Sequence, residues 1–83
     1  MSHLIKLLEE HNPEAVIWDG CDDALIGVTS DGCAVYSIER LWDVFIKQGM
    51  TSEEAVEWVD FNLISTYLGD YTPVHIYEFK PSD

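Results

Sequence analysis

Residues 24–37 read "ALIGVTSDGCAVYS", and the Asp31-Gly32 pair near the centre decides how the rest of the chain can fold. Apolar stretches flank the pair on both sides, and Asp-Gly meets the demand of a type I′ turn for positive φ at both central positions. A two-residue loop sets Ser30 opposite Cys33, Val28 opposite Val35, Gly27 opposite Tyr36 and Ile26 opposite Ser37. Because side chains alternate along a strand, Ile26, Val28, Cys33 and Val35 are expected on the core face. Tyr36 is then expected on the opposite face, over the bare backbone of Gly27.

The hairpin runs directly into helical patterning. Ser37 can cap a helix that carries Ile38, Leu41, Trp42, Phe45 and Ile46 at the spacing of one buried stripe, and Gly49 stops it. In "TSEEAVEWVDFNLIST", residues 51–66, Thr51 and Glu54 stand at capping-box spacing. Ala55, Val56, Val59 and Leu63 form the expected inner stripe of this next helix, with Glu53, Glu57 and Asp60 outside. Gly69 and Pro73 punctuate the exit, and "VHIYEF", residues 74–79, reads as a strand rich in β-branched and aromatic residues.

Upstream of the hairpin, Leu4, Ile5, Leu7 and Leu8 predict a short helix over residues 3–11 behind a Ser2 cap, ended by Pro13. The apolar run Ala15–Trp18, bounded by Pro13 and Gly20, reads as a strand. The expected fold is α+β: a small antiparallel or mixed sheet, including the hairpin at 25–37, packed against a helix pair, with a short N-terminal helix. All 83 residues, 1–83, are expected in one compact domain, since a chain of this length encloses a single small core.

Sixteen acidic residues against four basic ones give a formal charge of -12, which argues against direct contact with DNA, RNA or an anionic membrane. The same field favours encounter with a basic surface, although acidity also serves plain solubility. Cys21 and Cys33 lack C-x-x-C spacing and read as small buried hydrophobes of a reducing compartment. No stretch approaches the roughly 18 apolar residues of a membrane span, so a soluble, cytoplasmic protein is expected.

The stretch from Ala34 to Ile76 carries Tyr36-Ser37, then Gly49-Met50-Thr51, Glu53-Glu54-Ala55, Glu57-Trp58 and Asn62, then Tyr67, Gly69, Thr72-Pro73 and Ile76. This pattern, "YS…GMTxEEAxEW…N…YxGxxTPxxI", resembles a family of small, mostly uncharacterised proteins encoded by tailed bacteriophages and prophages. The resemblance covers about half of the chain and implies a genomic setting rather than an activity: a protein made in the cytoplasm of an infected bacterium and aimed at a host system, such as CRISPR or restriction. The N-terminal helix and "WDGCDD" lie outside it.

Chemistry is sparse. His3, His11 and His75 are scattered, and no Ser or Cys stands in a nucleophile-elbow context, so no catalytic residue and no enzyme is expected. "WDGCDD", residues 18–23, lacks the ligand order of an EF-hand loop and reads as an Asp- and Gly-rich turn; no metal or cofactor is expected. Nucleotide binding has no Gly-rich loop to support it.

What remains is carboxylate rows. Glu53 and Glu57 stand about 6 Å apart along a helix axis, with Asp60 one turn on. Glu39 and Asp43 form an i, i+4 pair on the preceding helix, and Asp70 follows in the loop. Converging, these rows would imitate a phosphate track to a host protein's basic groove; diverging, they only keep the chain dissolved. A competing expectation comes from the aromatics: Trp18, Trp58, Phe61, Tyr67, Tyr71 and Tyr77 cannot all be interior, and an exposed patch including Trp58 would mark a protein interface or a homodimer face.

Overall fold

The computed structural model describes residues 3–78. The order of elements is α1 (His3–His11), a 3-10 turn (Asp22–Ala24), β1 (Leu25–Val28), β2 (Ala34–Ser37), α2 (Ile38–Lys47), α3 (Ser52–Val59) running on into a π-helical segment (Asp60–Ile64), and β3 (Val74–Ile76). The expected α+β class holds, and the sheet is mixed. β2 lies between β1, to which it is antiparallel, and β3, to which it is parallel, so α2 and α3 form the crossover between two adjacent parallel strands. The Ser2 cap and Phe79 fall outside the described residues.

The hairpin is present, but its turn is not type I′. Only Gly32 takes a positive φ (94°), and no other kind of residue in the described chain does so. The Gly32 amide donates to the Thr29 carbonyl and the Thr29 amide to the Cys33 carbonyl, which closes a three-residue loop, Ser30–Gly32. The Thr29 hydroxyl accepts from the Cys33 amide at 2.9 Å and holds the extra residue in place. Val28 therefore faces Ala34 and Gly27 faces Val35, one residue away from the expected pairing, with a further bulge before Leu25 meets Tyr36.

A slip of one residue exchanges the faces of a strand. Ala34 and Tyr36 are accordingly fully buried, while Ile26, Val28 and Val35 are only half-buried. The expected core set of Ile26, Val28, Cys33 and Val35 is thus corrected: Cys33 is buried, but the sheet's core contribution comes from Leu25, Ala34 and Tyr36. Tyr36 packs in the interior instead of lying over Gly27.

A second correction concerns Ala15–Trp18, which forms no strand. The Val16 amide donates to the Tyr71 carbonyl, and the Trp18 amide to the Tyr36 hydroxyl at 2.9 Å. The segment is a strap held by single hydrogen bonds, without a ladder. Both helix starts are as expected: the Ser37 hydroxyl accepts from the Arg40 amide, and Thr51 and Glu54 complete a reciprocal capping box. Gly49 ends α2 at φ 113°.

The core gathers Leu8 from α1, Cys21 and Ala24 from the turn, Leu25, Ala34 and Tyr36 from the sheet, Leu41 and Phe45 from α2, and Ala55, Val59 and Leu63 from α3 and its extension. Val56 and Ile46, expected inside, are more than a third exposed. The α3 stripe is therefore narrow, Ala55–Val59–Leu63 alone. In a continuous α-helix such an i, i+4, i+8 row would drift around the axis. The π-helical turn from Asp60 offsets that drift and keeps Leu63 in the core. Its mark is the Ser65 amide donating to Asp60, five residues back, with the Ser65 hydroxyl donating to the same carbonyl at 2.8 Å.

Candidate protein-binding surface on the third helix

With Ala55, Val59 and Leu63 turned inward, the remaining faces of α3 have to meet solvent. The capping box fixes where the helix begins: Thr51 N donates to Glu54 Oε1 at 2.9 Å, and Glu54 N to Thr51 Oγ1 at 3.2 Å. Glu53, Glu57 and Asp60 are all exposed, as expected. Glu53 and Glu57 flank a shallow depression with Ser52 and Val56. Glu57 also lines a second, larger groove of about 610 Å³ with Met50, Glu54, Trp58, Asp60, Phe61 and Asn62.

That groove combines carboxylates with aromatic rings. Trp58 rests on Phe45 of the core, ring centroids 4.4 Å apart, and stays 37% exposed. Phe61, in the π-helical turn, is 81% exposed. Leaving so large an apolar side chain in water forgoes about 1.5–3 kcal/mol of burial. π-helical turns also recur at functional sites. The Asn62 side-chain Nδ2 donates to the Trp58 carbonyl at 3.0 Å, bracing the turn.

The other carboxylates sit elsewhere. Glu39 and Asp43 line a separate concavity of about 720 Å³ together with Asp23, Val44 and Glu78, but also with Arg40 and Lys47. Its charge is mixed. Glu39 is also engaged within the fold: Oε1 accepts from the Glu78 amide at 3.0 Å and from the Ser37 hydroxyl at 3.4 Å. Arg40 Nε lies 2.9 Å from Glu78 Oε1, an exposed pair that adds little stability. Asp70 lies exposed in the loop before β3 and lines neither concavity; its carbonyl accepts the Cys33 thiol at 3.6 Å. Of the expected site residues, Glu53, Glu57, Trp58 and Asp60 therefore form one continuous surface, and Glu39, Asp43 and Asp70 stand apart from it.

Met50 and Asn62, which the sequence marks only as motif positions with no site role, complete the groove. Met50 was findable, since a hydrophobe just before a helix cap commonly packs back on the first turn. Asn62 was not, because its placement depends on the π-helical turn.

The strongest shifts in acid–base behaviour lie away from this surface. Burial holds the Tyr36 hydroxyl up at about 12, only partly offset by its hydrogen bond from the Trp18 amide. Burial pushes the His75 imidazole below its ordinary value, and burial with Asp22 and Asp19 nearby raises the Cys21 thiol. These groups belong to the packing of the strap, turn and sheet. Among the described residues no group of three or more His, Cys, Asp and Glu side chains is placed to hold a metal ion, and no helix is long and apolar enough to cross a membrane.

No family model, curated protein or solved structure matches this chain.

Proposed function

We propose that the protein is a non-enzymatic, acidic binding protein that inhibits a host protein bearing a basic surface. The target class is a nucleic-acid-handling defence complex of the CRISPR or restriction type, met in the cytoplasm of a bacterial host after expression from a phage or prophage genome. The inhibitor's carboxylates take the place of phosphates on the target's lysines and arginines. What carries this reading is the exposed row of Glu53, Glu57 and Asp60 along one helix, continuous with the exposed Trp58. Charge supplies steering and register, and the aromatic ring supplies desolvated contact area. The phage setting rests on the motif between Tyr36 and Ile76.

The test is affinity capture from bacterial lysate at low and high salt, with duplex DNA as competitor. A nucleic-acid-binding protein that is released both by salt and by DNA supports the mimic; retention of the same protein in both washes refutes it.

A second reading has its own observation. Tyr67 is 75% and Tyr77 58% exposed in addition to Phe61, and aromatic side chains are enriched at protein interfaces. A homo-oligomeric assembly or virion accessory role would bury these rings between copies. It requires a defined oligomer whose mass by light scattering is insensitive to salt, and a strict monomer at all concentrations eliminates it.

A further inference from the structure

Resting on the binding role proposed above, we infer that the groove over Trp58 receives an arginine side chain of the partner, its guanidinium stacked on the indole and paired with Glu57 and Asp60. Charge complementarity points to a cation: Glu57 and Asp60 stand on the groove's rim, and none of its lining residues is basic. Glu54 is already committed to the Thr51 amide, which leaves the other two carboxylates as acceptors for an incoming donor.

The ring composition then distinguishes the kind of cation. Trp58 has its inner side held against Phe45, so it is a fixed platform rather than a swinging side chain, and Phe61 stands beside it in the groove. A planar, weakly hydrated guanidinium can stack on such a platform and direct its N–H groups sideways into carboxylates at the same time. A lysine ammonium is a compact, strongly hydrated charge that gains the carboxylates but little from the ring surface. The same acidic lining makes a second copy of this chain a poor occupant, because an isologous contact would bring two copies of one acidic groove together. The groove thus acts as a selector for arginine within a partner surface that the wider acidic row attracts without discrimination.

Two fluorescently labelled eight-residue peptides, one of arginine and one of lysine, separate the two levels when titrated against the full chain by fluorescence anisotropy at fixed salt. The arginine peptide is expected to bind more tightly. Trp58→Leu should lower its affinity about two- to fivefold, the size of one exposed cation–π contact, and leave the lysine peptide's affinity unchanged. Glu57→Gln with Asp60→Asn should weaken both peptides. Equal affinity of the two peptides for the wild-type chain, or an equal loss of both in a Trp58→Leu variant with unaltered circular dichroism, overturns the arginine assignment while leaving charge mimicry standing. Failure of both peptides to bind at low salt overturns both.

Discussion

The indole Nε1 of Trp18 donates a 2.9 Å hydrogen bond to Nε2 of His75, 57 residues further along the chain. The two rings stack at 5.9 Å, and the His75 ring stacks in turn near Tyr36, its partner across β2 and β3, at 6.3 Å. The same Trp18 donates its backbone amide to the Tyr36 hydroxyl. Strap, central strand and last strand are thus locked at one point. Accepting at Nε2 requires a neutral imidazole with its proton on Nδ1.

Acid should therefore loosen the fold at His75. Its folded value is depressed by burial below the ordinary 6.5, so the unfolded chain binds the proton first. The stability contribution is complete above 6.5 and is lost as pH falls from there through the folded value. Urea titrations at pH 8 and pH 5.5 should give a lower midpoint at 5.5, and His75→Gln should shrink the difference. An undiminished difference in that variant would assign the acid effect to other groups.

Alkali acts through Tyr36. With the folded hydroxyl at about 12 against an ordinary 10, the unfolded chain ionises first, and stability should fall as pH rises from 10 towards 12. Tyr36→Phe removes that dependence and leaves the half-buried Trp18 amide without its acceptor, at a cost of about 1 kcal/mol at neutral pH. Chemical denaturation of both proteins at pH 8 and pH 11 measures both effects.

The hairpin loop offers a purely steric test. A Cβ at Gly32, where φ is +94°, would stand 2.9 Å from both Cβ and Nδ2 of Asn12. Asn12 Nδ2 donates to the Gly32 carbonyl at 3.0 Å, tying the end of α1 to the turn. Gly32→Ala should cost about 1–3 kcal/mol from backbone strain, with the clash in addition. Asn12→Ala should cost about 1 kcal/mol through the lost hydrogen bond. Thermal denaturation ranks them, and equal stability of Gly32→Ala and wild type would contradict the loop geometry.

The capping box can be isolated with a double-mutant cycle. Thr51→Ala should destabilise the chain by about 1 kcal/mol. Because Thr51 and Glu54 serve each other reciprocally, the double variant with Glu54→Ala should lose less than the two single losses added together.

These elements also mark what could be read before the fold was known. Capping and periodicity are local, and the residues that carry them, Ser37, Thr51 and Glu54 at the starts and Gly49 at a stop, behave as their spacing implies. The hairpin's existence was legible in Asp31-Gly32, but its register was not. Whether that pair forms a two- or three-residue loop depends on the Thr29 hydroxyl taking the Cys33 amide, and that one residue of difference moved Tyr36 into the core. The Ala15–Trp18 run has strand composition, yet its amides find Tyr71 and Tyr36 instead of a ladder partner, a long-range outcome invisible to composition. On α3, the exposure of Glu53, Glu57 and Asp60 was legible because a helix with a buried stripe exposes its other faces. The π-helical turn that leaves Phe61 in water, and the separation of Glu39 and Asp43 from the α3 row, depend on tertiary packing.

The central claim, that α3 presents its carboxylates to a basic partner, is tested most directly by reversing them together. Wild type and a Glu53→Lys, Glu57→Lys, Asp60→Lys variant, both checked for folding by circular dichroism, would be used side by side to capture proteins from bacterial lysate at low salt. All three side chains are exposed, so the variant should fold. Charge mimicry requires the DNA-competed partner to be captured by the wild type and lost by the variant; recovery of that partner in equal amount by both would contradict it.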